Sequence, residues 1–380
     1  MKKNYLFGML ALAAMTMVGC SNDEVVNDYS QDNAIQFGTY VGRNASSRVS
    51  EITTDNLQSF GVFAFYKDNT ATTEPTAPNF MNNQEVSRIE FDTDKHPLAY
   101  QTSWEYSPVK YWPNEKEDKI DFYAYAPHEE KEWNNASVEI AINQDATNQT
   151  DYLYATPIKG MTKQNVDQKV QFNFHHALSR VAFSVEAVID EVNNQNNGAM
   201  PDEEKTMNED FNAEETTITV QEVELLGNFH SEGTLNLAEE NNGVITPSTT
   251  ATKWTSYKLC EDDFTDAAKG VTIEPQKLSK DSEYLMIIPQ KFENSDLISV
   301  RVKYTVTTKD DKLTGNDGAS VIVNDITSEE FAFNFEMGKA YDFVLHLGLT
   351  SVKLSARVQG WDETTVVVNV PINEKTENNQ

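Results

Sequence analysis

The chain has 380 residues, 30 of them basic and 60 acidic, for a formal charge of −30. A polyanion of this kind is repelled by nucleic acid and by anionic lipid, which excludes charge-driven binding to either. The length accommodates about two or three domains with real cores, and stability must come from packing, because Cys20 and Cys260 are its two cysteines and modification of Cys20 leaves no intrachain disulfide.

In chain order, Lys2 and Lys3 form a basic tip, and Tyr5 to Val18 is an apolar run, too short for a mature spanning helix and suited to a secretory signal. Met17, Val18, Gly19 and Cys20 read as a bacterial lipobox, so residues 1–19 are expected to be removed and Cys20 to carry acyl chains. The alternative is an ordinary signal cut near Ala14 with an incidental cysteine. Residues 20–32 are polar and acidic without a periodic apolar face, the pattern of a solvated tether. Beyond the signal no apolar run approaches the roughly 20 residues of a spanning helix, so lipid is the expected membrane attachment.

The mature chain reads as all-β. Ile35, Phe37, Thr39 and Val41 share one face of an extended segment, as do Phe60, Val62, Ala64 and Tyr66, and again Ile120, Phe122, Ala124 and Ala126. The same period of two runs through Val170, Phe172 and Phe174, through Val181, Phe183 and Val185, and through Val300, Val302, Tyr304 and Val306. It returns at Phe331, Phe333 and Phe335, at Tyr341 to Leu347, at Val352, Leu354, Ala356 and Val358, and at Val366, Val368 and Val370. Alternation with one apolar face implies antiparallel sheets packed as sandwiches. A single short helix is expected over 262–269, capped by Asp262 or Asp263 and ended by Gly270.

Polar stretches at 159–169 and 190–215 break the pattern. The first is the preferred boundary, giving an amino-terminal sandwich over 33–162 and a carboxy-terminal one over 163–372, with 190–215 as an acidic loop and 373–380 as a polar tail. The alternative makes 190–215 itself the linker.

Five segments, FGVFAFY at 60–66, YWPN at 111–114, IDFYAYAP at 120–127, DYLYATP at 151–157 and FNFHHALSRVAFSV at 172–185, together with Tyr341 to Leu347 and the tail around Gly360, Trp361 and Asp362, resemble the fimbrillin-type subunits of type V pili. The resemblance runs along most of the mature chain in the family's order. It implies two transthyretin-like β-sandwiches on a lipoprotein precursor of the outer membrane, displayed at the cell surface in a fimbrium. Ser21, Asn22, Asp23 and Glu24 also resemble the acidic signals that send some lipoproteins to the outer face of that membrane. The implied partners are other pilus subunits and a host or bacterial surface ligand, with no cofactor.

The resemblance further implies assembly by strand exchange. An arginine-specific or trypsin-like protease removes the first strand, here 34–41 with Ile35, Phe37 and Val41, by cutting at Arg48, or else Arg43, in the loop 42–50. A strand from a neighbour then fills the groove, the donor being Val366, Val368 and Val370, preceded by 352–358. Each buried apolar side chain contributes roughly 1.5–3 kcal/mol and each ladder hydrogen bond roughly 0.5–1.5, so an empty groove forfeits on the order of 10 kcal/mol. The alternative is that both ends complete their own domains and the arginines are loop charges. Pro371 and the polar tail after the last strand depart from a subunit that ends at its donor strand, which leaves shaft, tip and anchor roles open.

Sequence motifs of catalysis are absent: there is no G-x-S-x-G, H-E-x-x-H, P-loop or C-x-x-C pattern. His175 and His176 point to opposite faces of a strand and read as structural. Asp310, Asp311, Asn316 and Asp317 lack EF-hand spacing and read as a solvated hairpin. A second function, from a different class, is a glycan-binding surface lipoprotein of a polysaccharide-uptake system, with Trp104, Trp112, Trp133, Trp254, Tyr106 and Tyr111 as stacking platforms.

Overall fold

A computed structural model describes residues 33–42, 51–89, 103–165, 169–187, 216–238, 245–251, 253–260, 276–278, 284–309, 318–348, 352–360 and 368–372. Cys20, the tether, Arg43, Arg48, the loop 190–215, the expected helix 262–269, the acidic turn 310–317, Trp361, Val366 and the tail 373–380 lie outside the described residues.

The first half contributes β1 (Phe37–Val41), β2 (Ser59–Lys67), β3 (Met81–Ile89), β4 (Ser103–Glu105), β5 (Lys119–Ala126), β6 (Ser137–Ala141), β7 (Leu153–Ala155), β8 (Ile158–Met161) and β9 (Val170–His176). The second contributes β10 (Ser179–Ala187), β11 (Thr216–His230), β12 (Glu232–Asn236), β13 (Ile245–Pro247), β14 (Lys253–Cys260), β15 (Gln276–Lys277), β16 (Leu285–Ile287) and β17 (Gln290–Phe292). It ends with β18 (Ser299–Lys309), β19 (Ala319–Thr327), β20 (Phe333–Phe335), β21 (Lys339–Leu347), β22 (Val352–Gly360) and β23 (Val368–Ile372). Among the described residues the fold is nearly all β and its sheets pack in a sandwich-like manner, as the alternation requires.

An eight-stranded sheet runs β1-β9-β7-β5-β2-β3-β4, with β8 also on β5. Its inner face gathers Ile35, Phe37, Val41, Phe60, Val62, Phe122, Phe172 and Phe174 into one core. These are the positions the period of two selects. A six-stranded sheet, β15-β10-β21-β22-β23 with β16 also on β10, faces a four-stranded one, β14-β11-β18-β19. Between them lies a second core with Val181, Phe183, Val300, Val302, Tyr304, Phe343, Leu345 and Leu354. Buried Tyr304 is satisfied there by donating to the Gly348 carbonyl at 2.9 Å, as a polar group inside a core requires. Strand β11 is long enough to need bending, and its register shifts between Val220 and Glu222 and between Leu226 and Phe229 supply it.

A third apolar layer joins the two halves. Phe63, Phe65 and Tyr125, on the outer face of β2 and β5, pack with Val138 and Ile140 of β6, Leu235 of β12, and Ala182, Tyr284 and Met286 beside β10 and β16. The eight-stranded sheet is therefore covered on both faces there, which explains why FGVFAFY is apolar throughout rather than alternating. Gly61 serves the same contact: a Cβ would meet the Tyr125 ring at 2.5 Å.

Three features depart from the sequence expectation. Strand β9, which a division at 162/163 would give to the second half, pairs with β1 and β7 of the eight-stranded sheet. Two pairings are parallel rather than antiparallel, β1 with β9 and β10 with β21. Finally, β6 of the first half leaves its neighbours to pair with β12.

Candidate assembly site

Strand β1 enters the first core with Ile35, Phe37 and Val41 each 1% exposed. The Phe37 ring stacks on Phe172 at 5.6 Å and meets Phe60, Phe122 and Tyr106 at 6.1, 6.0 and 5.4 Å. Tyr40, on the opposite face, is exposed. The segment thus carries three side chains of core quality on a backbone with one regular neighbour, β9, in register from Phe37 opposite Val170 to Val41 opposite Phe174.

The outer edge of β1 is covered only in part. At its start the Ile35 N–H donates to the Lys110 carbonyl and the Trp112 N–H to the Asn33 carbonyl, both at 2.9 Å. The Tyr106 hydroxyl donates to the Ile35 carbonyl at 2.7 Å, and burial pushes its pKa up to about 12, so it stays a donor at any physiological pH. At its end the Thr54 hydroxyl accepts from the Val41 N–H and donates to the Val41 carbonyl, both at 2.9 Å. Beside the start of this edge lies a depression of about 60 Å³ lined by Ile35, Phe37, Trp104, Tyr106, Val109 and Lys169.

Chain leaving β1 at Val41 returns at Glu51, and the returning segment is fixed by polar contacts. Glu51, 2% exposed, pairs with Arg180 of β10 at 2.6 Å, and the Arg180 guanidinium lies 4.4 Å over the Tyr284 ring. The Ile52 N–H donates to Asp151 at 2.8 Å, and the other oxygen of that carboxylate meets His176 Nδ1 at 3.1 Å. Asn56 closes the turn, its amide donating to the Glu51 carbonyl at 2.7 Å and its oxygen accepting from the Thr53 N–H at 2.6 Å.

At the other end of the chain, β22 is integral to the second core through Leu354 and Ala356. Strand β23 adds to it antiparallel, Val368 opposite Val358 and Val370 opposite Ala356, and stands at the edge of its sheet. Pro371 sits opposite Ser355; proline has no N–H to donate to a ladder, and an edge strand such as β23 is where a sheet tolerates it. The donor candidates Val368 and Val370 thus lie on an outermost strand.

The six aromatics considered for sugar stacking are not gathered on a surface. Trp112 is buried, Trp104 packs edge-on against Phe60 at 4.9 Å, and Trp133 packs on Phe63 and Phe65. Trp254 lies against the second core, Tyr106 serves β1, and Tyr111 alone is exposed, at 46%. On the outer face of the six-stranded sheet His346 contacts Glu186 through Nδ1 and Ser355 Oγ through Nε2 at 2.8 Å. This has the residue order of a nucleophile, base and carboxylate, but among the described residues the β21 and β22 backbones that flank it are committed to a continuous ladder and aim no N–H pair at an oxyanion. The contact ties β10, β21 and β22 together. Among the described residues, no group of three or more His, Cys, Asp or Glu side chains is placed to hold a metal.

Sequence reasoning had placed β1 but not its clamps. Thr54, Glu51, Asp151 and Arg180 carry no motif; Glu51 and Arg180 are 129 positions apart, and no local pattern links them.

Among the described residues, sheets packed in a sandwich-like manner with β1 and β23 at sheet edges define the class as an all-β protein. The fimbrillin-like family model matches residues 47–361, and the chain belongs to that family. It is 22% identical over 407 residues to fimbrium subunit Fim1C of Phocaeicola vulgatus, covering 95% of this chain and 98% of that one. Similar solved structures include a candidate cell adhesion protein of Bacteroides ovatus, with 14% identity, coverage of 86% and 97%, and a TM-score of 0.49. Another is the tip fimbrial protein Mfa3 of Porphyromonas gingivalis with a C-terminal truncation, with 11% identity, coverage of 83% and 97%, and a TM-score of 0.38.

Proposed function

We propose that this chain is a structural subunit of a cell-surface fimbrium, exported as a lipoprotein acylated on Cys20 and joined to its neighbours by strand exchange. Its two transthyretin-like units divide between β9 and β10, since β9 pairs with β1 and β7. The observation that carries the reading is the segment of β1 and the residues just before it, whose Ile35, Phe37 and Val41 side chains are each 1% exposed while the β1 backbone has a single regular strand neighbour. Removing such a strand opens a deep apolar groove with unpaired N–H and C=O groups along β9, and a strand from another subunit relieves both costs.

Cleavage after Arg48, or secondarily Arg43, frees β1, and the donor to the next subunit is the segment of Val366, Val368 and Val370, the last two of which lie on edge strand β23. Adhesion to a host or bacterial surface then follows from display of many copies. A chain ending at Gly360 keeps the groove and lacks the donor. After trypsin it is expected to form no polymer alone and to cap polymers of the cut full-length chain as short species on a native gel. An undiminished ladder from the truncated chain would remove 366–370 from the donor role.

A further inference from the structure

The outer edge of β1 is gripped at its two ends by side-chain hydroxyls that bond to backbone. Tyr106 donates to the Ile35 carbonyl at 2.7 Å; Thr54 accepts from the N–H and donates to the carbonyl of Val41, both at 2.9 Å. In an extended chain the N–H and C=O of one residue point the same way, so one hydroxyl serves both and stands in for a strand that is not there. Both hydrogen bonds are made to backbone atoms, although the Tyr106 ring also packs on Phe37 at 5.4 Å. We propose that Thr54 and Tyr106 are backbone clamps that hold any strand occupying this groove, whatever its sequence, β1 in the unprocessed chain and a strand from another copy afterwards.

The proposal deepens the strand-exchange reading and, for its second half, rests on it. What makes Thr54 suited to a change of occupant is that its own position does not depend on β1. The flanking residues are held by Glu51 on Arg180 at 2.6 Å, by the Ile52 N–H on Asp151 at 2.8 Å, and by Asn56 on the Glu51 carbonyl at 2.7 Å. Leu57, buried at 1% exposure, completes the anchor, and the Arg88 guanidinium donates to the Leu57 carbonyl at 3.2 Å. Tyr106 is likewise tied to its own loop, accepting from the Lys110 N–H at 3.3 Å. Loss of β1 therefore leaves Thr54 Oγ1 in place, facing an empty strand position. Sequence is read elsewhere, by the pocket around Phe37, and a one-residue slip is refused because it turns apolar side chains outward and presents the clamps with the wrong backbone edge.

The test measures hydrogen exchange over residues 33–42 in the purified, uncut mature chain by mass spectrometry. Thr54→Val is expected to accelerate exchange there about 5- to 150-fold and Tyr106→Phe about 2- to 13-fold, the factors that two and one neutral hydrogen bonds convert to. Exchange in the second half should stay unchanged, and Thr54→Ser, which keeps the hydroxyl, should match wild type. Unchanged rates over 33–42 in both variants would overturn the clamp, as would a Thr54→Ser as fast as Thr54→Val. A second measurement adds labelled peptides spanning 33–42 and 365–373 to the trypsin-cut chain. Thr54→Val should weaken both by the same factor; weakening of the 33–42 peptide alone would overturn sequence independence. If neither peptide binds any cut chain, strand exchange fails, and the exchange rates in the uncut chain still decide whether the clamp exists.

Discussion

Phe37→Ala is the sharpest test that β1 is a core strand. The ring is 1% exposed, stacked on Phe172 at an interplanar angle of 20° and edge-on to Phe60 and Phe122. Those three neighbours come from β2, β5 and β9, whose backbones are paired in the same sheet, so the cavity cannot collapse and the cost should reach the full range for such truncations, about 3–5 kcal/mol. Against a total of about 5–15 kcal/mol for a domain, this is a large fraction. At a urea slope of about 1–3 kcal/mol per molar it moves the unfolding midpoint of the first half by about 1–5 M. Exchange mass spectrometry in urea resolves the halves: β5 and β9 should lose protection at lower urea, while β18 and β21 keep theirs. A shift worth less than about 1 kcal/mol, or an equal shift in both halves, would refute the claim that Phe37 completes the first core.

Other outcomes follow from the polar contacts and surfaces. Arg180→Ala removes the ion pair of buried Glu51 and should cost about 3–5 kcal/mol, whereas the double change Glu51→Leu with Arg180→Met should be near neutral; thermal melts of the three chains check this. Burial raises the Asp342 carboxyl above its ordinary range, against the hydrogen bond from Ser184 and the charge of Arg357, which lower it. The folded state therefore favours the protonated form, and this contribution is present below the ordinary carboxylate value and lost as pH rises through the raised one. Asp342→Asn should accordingly flatten that decline in stability between acidic and neutral pH, and an unchanged pH profile of melting would contradict it. Val321 and Val323, 51% and 59% exposed on edge strand β19, should accept lysine within about 0.5 kcal/mol and reduce self-association in light scattering. Millimolar oligosaccharides should leave tryptophan emission unchanged, because Trp104, Trp112 and Trp133 are packed on phenylalanines; quenching would restore a sugar-binding role.

Much of the fold is legible where one face is buried and the other wet. Ile120, Phe122, Ala124 and Ala126 are each 0% exposed, and the alternation along β10, β18 and β21 likewise marks strands correctly. Legibility fails where that physical condition fails. Strand β3 reads MNNQEVSRI, with Met81 and Val86 its buried residues, too few for a period of two to register. Partner choice is invisible to periodicity, since it is set by chain-distant packing. Nothing in VQFNFHH says that it pairs with β1 in parallel, and a polar stretch at 159–169 therefore suggests a boundary that β9 crosses. The site divides the same way: Ile35, Phe37 and Val41 announce themselves by spacing, while Thr54 acts through a backbone contact 13 residues away and Arg180 through the Glu51 carboxylate 129 residues away.

The central claim, that one cut before Glu51 turns a closed subunit into an assembling one, is tested most directly by limited trypsin treatment of the purified mature chain, read by intact mass and native gel. The account predicts a cut confined to Arg48 or Arg43, loss of the fragment that carries β1, and a ladder of oligomers appearing as that fragment departs. A cut at those arginines that leaves only monomers with β1 still bound, or resistance of that loop while other sites are cleaved, would contradict it.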